Sequence, residues 1–313
     1  MDLILKGHTP KGGYTTNFYR KNTFMKLLGE YLRSRFGCKV YKVALNGGFT
    51  CPNRDGTIDM RGCIFCSAGG SGEFAESPDL SITEQVERGK ERVRQKMKDG
   101  KYIAYFQAYT GTYAPVTKLR ALFTEAIMHP DVVAISIATR PDCLPPETLN
   151  LLSELNEIKP VWVELGLQTI HEETARYIRR GYDLPVYDRA VKNLRERGIE
   201  VITHVILGLP GESEDDMVET VKYVCASGAN GIKLQLLHIL RGTDLEQEYN
   251  AGRVKILTED EYIRILRKCV AAIPEDVVIH RLTGDGDKRL LVAPLWSGDK
   301  KRVWNRIQRE VLS

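Results

Sequence analysis

Residues 51–66 read CPNRDGTIDMRGCIFC, and this one stretch holds three of the chain's seven cysteines. Thiolates are soft ligands that suit zinc, copper(I) or iron–sulfur clusters. Structural zinc takes four ligands and disulfides join cysteines in pairs, so three neighbouring thiols fit neither pattern. No histidine lies between His8 and His129 to complete a local zinc finger. A four-iron cluster on Cys51, Cys63 and Cys66 would keep one iron without a protein ligand, open to a small chelating molecule. Cys38, Cys143, Cys225 and Cys269 stand singly and read as small buried apolar residues rather than a second cluster. GSGEF, residues 70–74, is glycine-rich but lacks the Gly-Lys-Ser/Thr ending of a nucleoside-triphosphate loop. It reads as backbone packed tightly beside the thiols.

Such groups need a scaffold. From about residue 41, short apolar runs alternate with amphipathic helical patterns, and strands are expected over 42–46, 102–109, 132–139, 160–167, 200–209 and 231–240. SITEQVERGKERVRQKMK opens on a Ser/Thr cap with Glu84 in its first turn, and PETLNLLSEL opens on proline, both helix starts. Six β–α units in series imply a parallel sheet with right-handed crossovers. Six are too few to close an eight-stranded barrel. The expected fold class is therefore α/β, a partial (β/α)6 TIM-like barrel with N- and C-terminal extensions. The expected division is a basic extension over 1–40, the barrel over 41–240, and a substrate- or tRNA-binding extension over 241–313. Functional groups of such a barrel sit at the C-terminal ends of its strands, and Cys51 closely follows the first one.

With three thiols at that place, the sequence resembles the radical S-adenosylmethionine (SAM) enzymes. The resemblance implies a 4Fe-4S cluster on Cys51, Cys63 and Cys66 whose open iron is chelated by the amino and carboxylate groups of SAM. VELGLQT (163–169) followed by RRGY (179–182) is similar to the fourth-strand motif of the Elongator and coproporphyrinogen-dehydrogenase branches. That implies Gln168 and Arg180 as the residues holding the SAM carboxylate and ribose; an Arg fork on a carboxylate is a strong charge-assisted contact. THVILGLPGE (203–212) resembles the fifth-strand motif and sets His204 at the nucleoside, against the plainer reading of a satisfied core histidine. Phe65 stands where an aromatic residue lends its backbone to the adenine. FQAYTGTY (106–113) occupies the place of a Gly-Gly-Glu motif that receives the SAM amino group, and without that motif Gln107, Tyr109 and Thr110 are the candidates. ATRPD (138–142) matches the Elongator's third strand except that Ala138 replaces its Glu, which leaves Thr139 or Glu164 to take the ribose contacts.

Taken whole, KVALNGGFTCPNRDGT, GCIFCSAGGSGEFA, YTGTYAP, ATRPDCL and HRLTGDGDKRLLVAPLW resemble the YhcC/YtqA-like family of radical SAM proteins. The family implies work on the tRNA wobble uridine. There 5-carboxymethylaminomethyl(-2-thio)uridine would become 5-aminomethyl(-2-thio)uridine through a 5′-deoxyadenosyl radical. LRGTDLEQEYNAGRV (240–254) resembles the loop after the sixth strand of the Elongator subunit. Only about sixty residues follow it, so the Elongator's acetyl-CoA-driven carboxymethyl addition is not expected of this chain.

Composition is that of a globular protein, 42% hydrophobic and 27% charged over 313 residues. The first residues lack the apolar core of a signal peptide, and no apolar run is long enough to cross a membrane. An odd number of cysteines does not make a secreted disulfide framework. The expectation is a cytoplasmic protein with reduced thiols and no membrane partner. Net charge is +4 but uneven: residues 1–42 hold nine Lys/Arg against two acids, and residues 281–313 eight against four. Basic ends on an acidic body suggest tRNA gripped by Arg20, Lys21, Arg33 and Arg35 in front and by Lys300, Lys301, Arg302 and Arg306 behind. The plain alternative is solvated surface charge. The radical class also implies a one-electron reductant such as flavodoxin or ferredoxin. Two other classes compete: a radical SAM enzyme acting on a small molecule or protein side chain, and a non-catalytic iron–sulfur binding protein. The basic ends weigh against the first. The Gln168/Arg180 pair weighs against the second, since a sensor has no need of SAM.

Overall fold

The computed structural model describes residues 25–313 apart from 96, 98 and 285, so Arg20 and Lys21 lie outside the described residues. The chain enters through α1 (Leu28–Phe36) and then alternates. The elements are β1 (Val40–Leu45), α2 (Ile82–Val93), β2 (Lys101–Phe106), α3 (Val116–Met128), β3 (Val132–Thr139), α4 (Pro146–Asn156) and β4 (Val161–Gln168). After α5 (Glu172–Tyr177) and α6 (Leu184–Arg195) come β5 (Glu200–Leu207), α7 (Glu214–Ala226) and β6 (Gly231–Leu236). The tail holds β7 (Ile239–Leu240), α8 (Asp244–Asn250), α9 (Glu259–Ala271), β8 (Val278–Arg281), β9 (Leu291–Ala293) and α10 (Lys300–Glu310). Local chemistry sets the helix starts. Ser81 and Glu84 form a full capping box on α2, as Ser213/Asp216 do on α7 and Thr258/Glu261 on α9.

The sheet order is β1-β2-β3-β4-β5-β6-β8, every neighbouring pair parallel. It is a curled half-barrel one strand wider than the six expected. The seventh strand comes from the tail, where VIHR is four residues long and nothing in its pattern names the edge it joins. The run expected as one strand over 231–240 divides: β6 stays in the barrel, while β7 pairs antiparallel with β9.

Strand residues alternate between faces. Leu45, Phe106, Ile137, Leu165, Leu207 and Leu234 point outward into the core shared with the helices. Inside, Ile103, Ala134, Trp162 and Ile202 form an apolar floor covered by Leu28, Tyr31, Leu32 and Phe36 of α1. Arg35 belongs to this floor: it pairs with Glu200, bonds Tyr31 and lies over the Phe36 and Trp162 rings. Helix α1, carrying Arg33 and Arg35, therefore lies at the N-terminal ends of the strands, opposite the cysteines. Arg302 and Arg306 of α10 are tied to Glu259 and Asp260 at the start of α9. Among the described residues no helix is long and apolar enough to cross a membrane.

Candidate active site at the strand ends

The cysteine loop leaves β1 and is fastened at both ends by Gln85, a fully buried side chain of α2. Its Nε2 donates to the carbonyls of Asn46 (3.0 Å) and Leu80 (3.1 Å), and its Oε1 accepts from Asn46 N (2.8 Å). Midway, Asn53 Nδ2 donates to Arg179 O (2.7 Å), and Ile64 N to Ile178 O (3.2 Å), docking the loop on the IRRGY turn after α5. Gly181 has φ 78°, and a Cβ there would lie 2.8 Å from Asn53 Oδ1. Only glycine permits this docking. Arg54 Nη2 donates to Cys66 O (2.8 Å) and Ser67 O (2.7 Å), so a guanidinium lies along the thiols. Tyr109 secures the far end, donating from its hydroxyl to Ala68 O (2.6 Å) and from its N–H to Gly70 O (2.8 Å).

Cys51, Cys63 and Cys66 line one open cleft together with Phe65, Gln107, Tyr109, Thr110, Thr139, Glu164, Gln168, Arg180 and His204. Every residue that the sequence assigns to the cluster or to SAM thus lines this one cleft. Among the described residues, the side-chain groups whose ligand atoms converge within 4.8 Å do not include these sulfurs. One zinc ion would need that convergence, whereas a multi-iron cluster takes its thiolates on separate metal atoms. Burial pushes the Cys63 thiol up to about 12, with Cys66 adding to it and Arg140 opposing. Burial likewise raises Cys66, opposed by Arg54. Two guanidiniums beside three thiols favour their anionic forms once a metal replaces the protons. The donor set fits a 4Fe-4S cluster.

Two strand ends facing the cleft are strained. Tyr109 after β2 has φ 57° and Gln168 ending β4 has φ 67°, both unusual outside glycine. The Gln168 amide nitrogen, assigned by its hydrogen bonds, donates to Gly166 O (3.1 Å) and Leu167 O (2.9 Å), which leaves Oε1 as the group it can offer a ligand. Arg180 is 1% exposed and largely holds its own turn. Its Nε donates to Tyr182 O (2.9 Å), Nη1 to Thr169 O (2.7 Å) and Nη2 to Glu172 (3.0 Å). A guanidinium has five N–H groups, so two remain. At the end of β3, Thr112 Oγ1 lies 2.5 Å from both Cys143 O and Thr139 Oγ1. Its one proton must go to the carbonyl, so Thr139 donates to Thr112 and keeps only acceptor capacity.

Below the cysteines lies a buried charged layer. Glu164, its side chain fully inaccessible, accepts from Lys42 Nζ (2.5 Å), Ser136 Oγ (2.7 Å), His204 Nε2 (2.7 Å) and Lys233. Burial alone would raise the Glu164 carboxyl; Lys233, Lys42 and His204 overcome this and hold it well below the usual range. Gln235 Nε2 donates to His204 Nδ1 (3.1 Å), so the ring is neutral with its proton on Nε2. Burial, assisted by Lys233, lowers His204 to about 4. Both of its nitrogens, and both Glu164 oxygens, already have partners inside the protein. Sequence reasoning missed Asn53, Arg54, Arg140, Lys42, Lys233 and Gln235. Strand parity was a usable signal for the last two: in IKLQL, Lys233 and Gln235 alternate with outward Ile232, Leu234 and Leu236.

A curled parallel half-barrel with three thiols and an open cleft at its strand ends defines the radical SAM class, and comparison agrees. Residues 51–224 match the Radical SAM superfamily and residues 229–312 the Radical_SAM C-terminal domain; the chain belongs to this superfamily. It is a radical SAM enzyme, its cofactors a 4Fe-4S cluster and SAM. Within the class it is 49% identical to YtqA of Bacillus subtilis (strain 168) over 284 residues, 91% of this chain and 88% of that protein. It is 38% identical to YhcC of Escherichia coli (strain K12) over 273 residues, 87% of each. The tRNA uridine(34) acetyltransferase of Methanocaldococcus jannaschii is 28% identical over 156 residues, 49% of this chain and 28% of that protein. Among solved structures, archaeal Elp3 of Methanocaldococcus infernus shares the fold, with a TM-score of 0.66 at 18% identity, over 88% of this chain and 64% of that one. The YhcC/YtqA-like resemblance and the kinship to Elongator hold.

Proposed function

We propose that Cys51, Cys63 and Cys66 carry the cluster and that the enzyme acts on the wobble uridine of tRNA. There it removes the carboxymethyl group of 5-carboxymethylaminomethyl(-2-thio)uridine to leave 5-aminomethyl(-2-thio)uridine. The observation that carries the substrate is the 156-residue match to a protein named for its action on tRNA uridine 34. SAM bound at such a cluster supplies a 5′-deoxyadenosyl radical. The protein's part is positioning, which accounts for much of the rate in reactions of this kind. Asn53 and the IRRGY turn fix the thiol loop, and Arg54 and Arg140 offset its negative charge. Gln168 Oε1, Thr139 Oγ1 and the two remaining Arg180 N–H groups are the polar contacts offered to SAM. The tRNA backbone would meet Lys300, which stands 5.4 Å from the Phe74 ring centroid beside the cysteine loop, and its neighbour Lys301. Flavodoxin or ferredoxin would deliver the electron.

The test is anaerobic incubation of the reconstituted enzyme, SAM and a reductant with tRNA carrying 5-carboxymethylaminomethyluridine. SAM is the net two-electron oxidant: the methylene of the arm gives up a hydrogen atom, ending in 5′-deoxyadenosine, and then one electron, which returns to the cluster. Water splits the resulting imine, so nucleoside mass spectrometry should show 5-aminomethyluridine appearing with glyoxylate as the two-carbon product. If SAM is cleaved yet every wobble nucleoside is unchanged, the substrate assignment fails.

A further inference from the structure

The sheet does not close, and β1 and β8 form its two edges. Near these edges lies a second chamber lined by Lys42, Lys233, His280 and Arg281 above Leu28 and Leu32 of α1. It adjoins the cysteine cleft, since Tyr105, Gln107 and Arg281 line both. The Lys42 and Lys233 ammoniums stand 4.9 and 4.7 Å from the centroid of the Tyr105 ring. They share a single carboxylate, Glu164, whose other donors, Ser136 and His204, are neutral. Fully buried Lys233 and partly exposed Lys42 thus divide one negative charge, and when both are protonated the surplus positive charge favours an anion beside them. Each ammonium has three donors. Lys42 spends its bonds on Glu164 and Ser136, and Lys233 on Glu164 and Tyr105, which leaves each one N–H for a ligand.

We propose that this chamber is a carboxylate-binding subsite, holding the acid end of a substrate arm whose adjoining carbon lies in the cysteine cleft. The charge argument stands on the chamber alone; naming the arm as carboxymethylamino rests on the wobble-uridine reading. Tyr105 and Gln107 sit where the arm passes from one chamber to the other. The apolar residues of α1 beneath keep the ammoniums from being offset by water from below.

The probe is N-methylglycine, the free form of that arm, compared with N-methylglycinamide, which lacks the carboxylate. Binding of each to the reconstituted enzyme with SAM is followed by saturation-transfer NMR. The acid should bind about tenfold or more tightly than the amide. Lys42→Gln and Lys233→Gln should weaken the acid by a similar factor and leave the amide unaltered. If a variant does not fold, the acid–amide comparison on the unaltered enzyme decides by itself. Equal affinity for the two, or no saturation transfer to either, overturns the subsite. Preference for the acid with no turnover of the modified tRNA keeps the subsite and removes the wobble-uridine reading; turnover with acid and amide bound alike does the reverse.

Discussion

Glu164→Gln keeps the shape of the buried carboxylate and removes the one negative charge that Lys42 and Lys233 share. Breaking a buried ion pair from one side costs about 3–5 kcal/mol, because the stranded cation keeps its desolvation penalty. The charged layer adds a pH signature. Burial lowers Lys233 to about 7; Glu164 opposes the shift, and Lys42 and Arg281 add to it. In the native protein Lys233 is therefore mostly neutral at pH 8 and mostly charged at pH 6. Without Glu164 its pKa falls further, so the folded variant takes up this proton only at lower pH. The unfolded chains carry a charged lysine in both proteins and cancel. Between the variant's pKa and about 7 the native fold alone gains the proton, so the destabilisation must grow as pH falls. One pH unit is worth about 1.4 kcal/mol, and the increase from pH 8 to pH 6 should be roughly 1–2 kcal/mol. Urea unfolding of the metal-free proteins, read by tryptophan fluorescence at the two pH values, measures both parts. A loss under about 1 kcal/mol, or one equal at pH 6 and pH 8, would refute the shared-carboxylate reasoning.

Changing Cys51, Cys63 and Cys66 together to Ala should abolish iron and sulfide incorporation and SAM cleavage; a triple variant that keeps both would remove these residues as ligands. Gly181→Ala should cost about 1–3 kcal/mol and lower iron loading, because its Cβ would meet Asn53 Oδ1. Gly198→Ala, also at positive φ but with nothing within 4 Å, should show the backbone strain without the loss of iron, and equal loading in the two variants would contradict the docking role of Asn53. The His204 ring, followed by nitrogen NMR, should stay neutral with its proton on Nε2 until about pH 4, and a midpoint near 6.5 would contradict its burial. The folded state then refuses a proton the unfolded chain accepts, so this histidine's contribution to stability is lost as pH falls from about 6.5 to 4. Replacing Lys300 and Lys301 with Gln should weaken tRNA binding and reduce its salt slope by about 1.5, while an unchanged slope would leave them as solvated charge.

Much of the site could be read in the sequence because its chemistry is carried by spacing and by strand ends. Linear order and the parallel-barrel rule placed the three thiols at a strand end, and the resemblance to the Elongator strand motifs added Gln168 and His204 to them. What stayed hidden depends on burial and on partners far away in sequence. Nothing local shows that Arg180 spends three N–H groups on its own turn, or that Glu164 faces Lys42 across 122 positions. Arg35 looked like one of several surface cations, yet it packs on Trp162 and pairs with Glu200 because α1 lies across the barrel floor. The place of the seventh strand beside β6 escaped because four residues carry too little pattern to reveal their neighbour.

The vertical order of the barrel interior bears on what the charged layer is for. Its floor shows that this sheet can be filled with apolar side chains: Leu32, Ile103, Ala134, Trp162 and Ile202 pack there among themselves. A stack of such residues continued upward would be at least as stable, since buried ion pairs seldom outperform well-packed hydrophobics. Directly above the floor the filling changes to Lys42, Glu164, His204 and Lys233, tied by direct hydrogen bonds. Stability does not account for that change. It occurs at the level that meets the cysteine cleft, and Glu164 and His204 themselves line that cleft. The layer is therefore best understood through the ligand above it. Its hydrogen bonds hold His204 neutral and fixed beside the cleft, and in the proposed subsite its two lysines face the acid end of the arm.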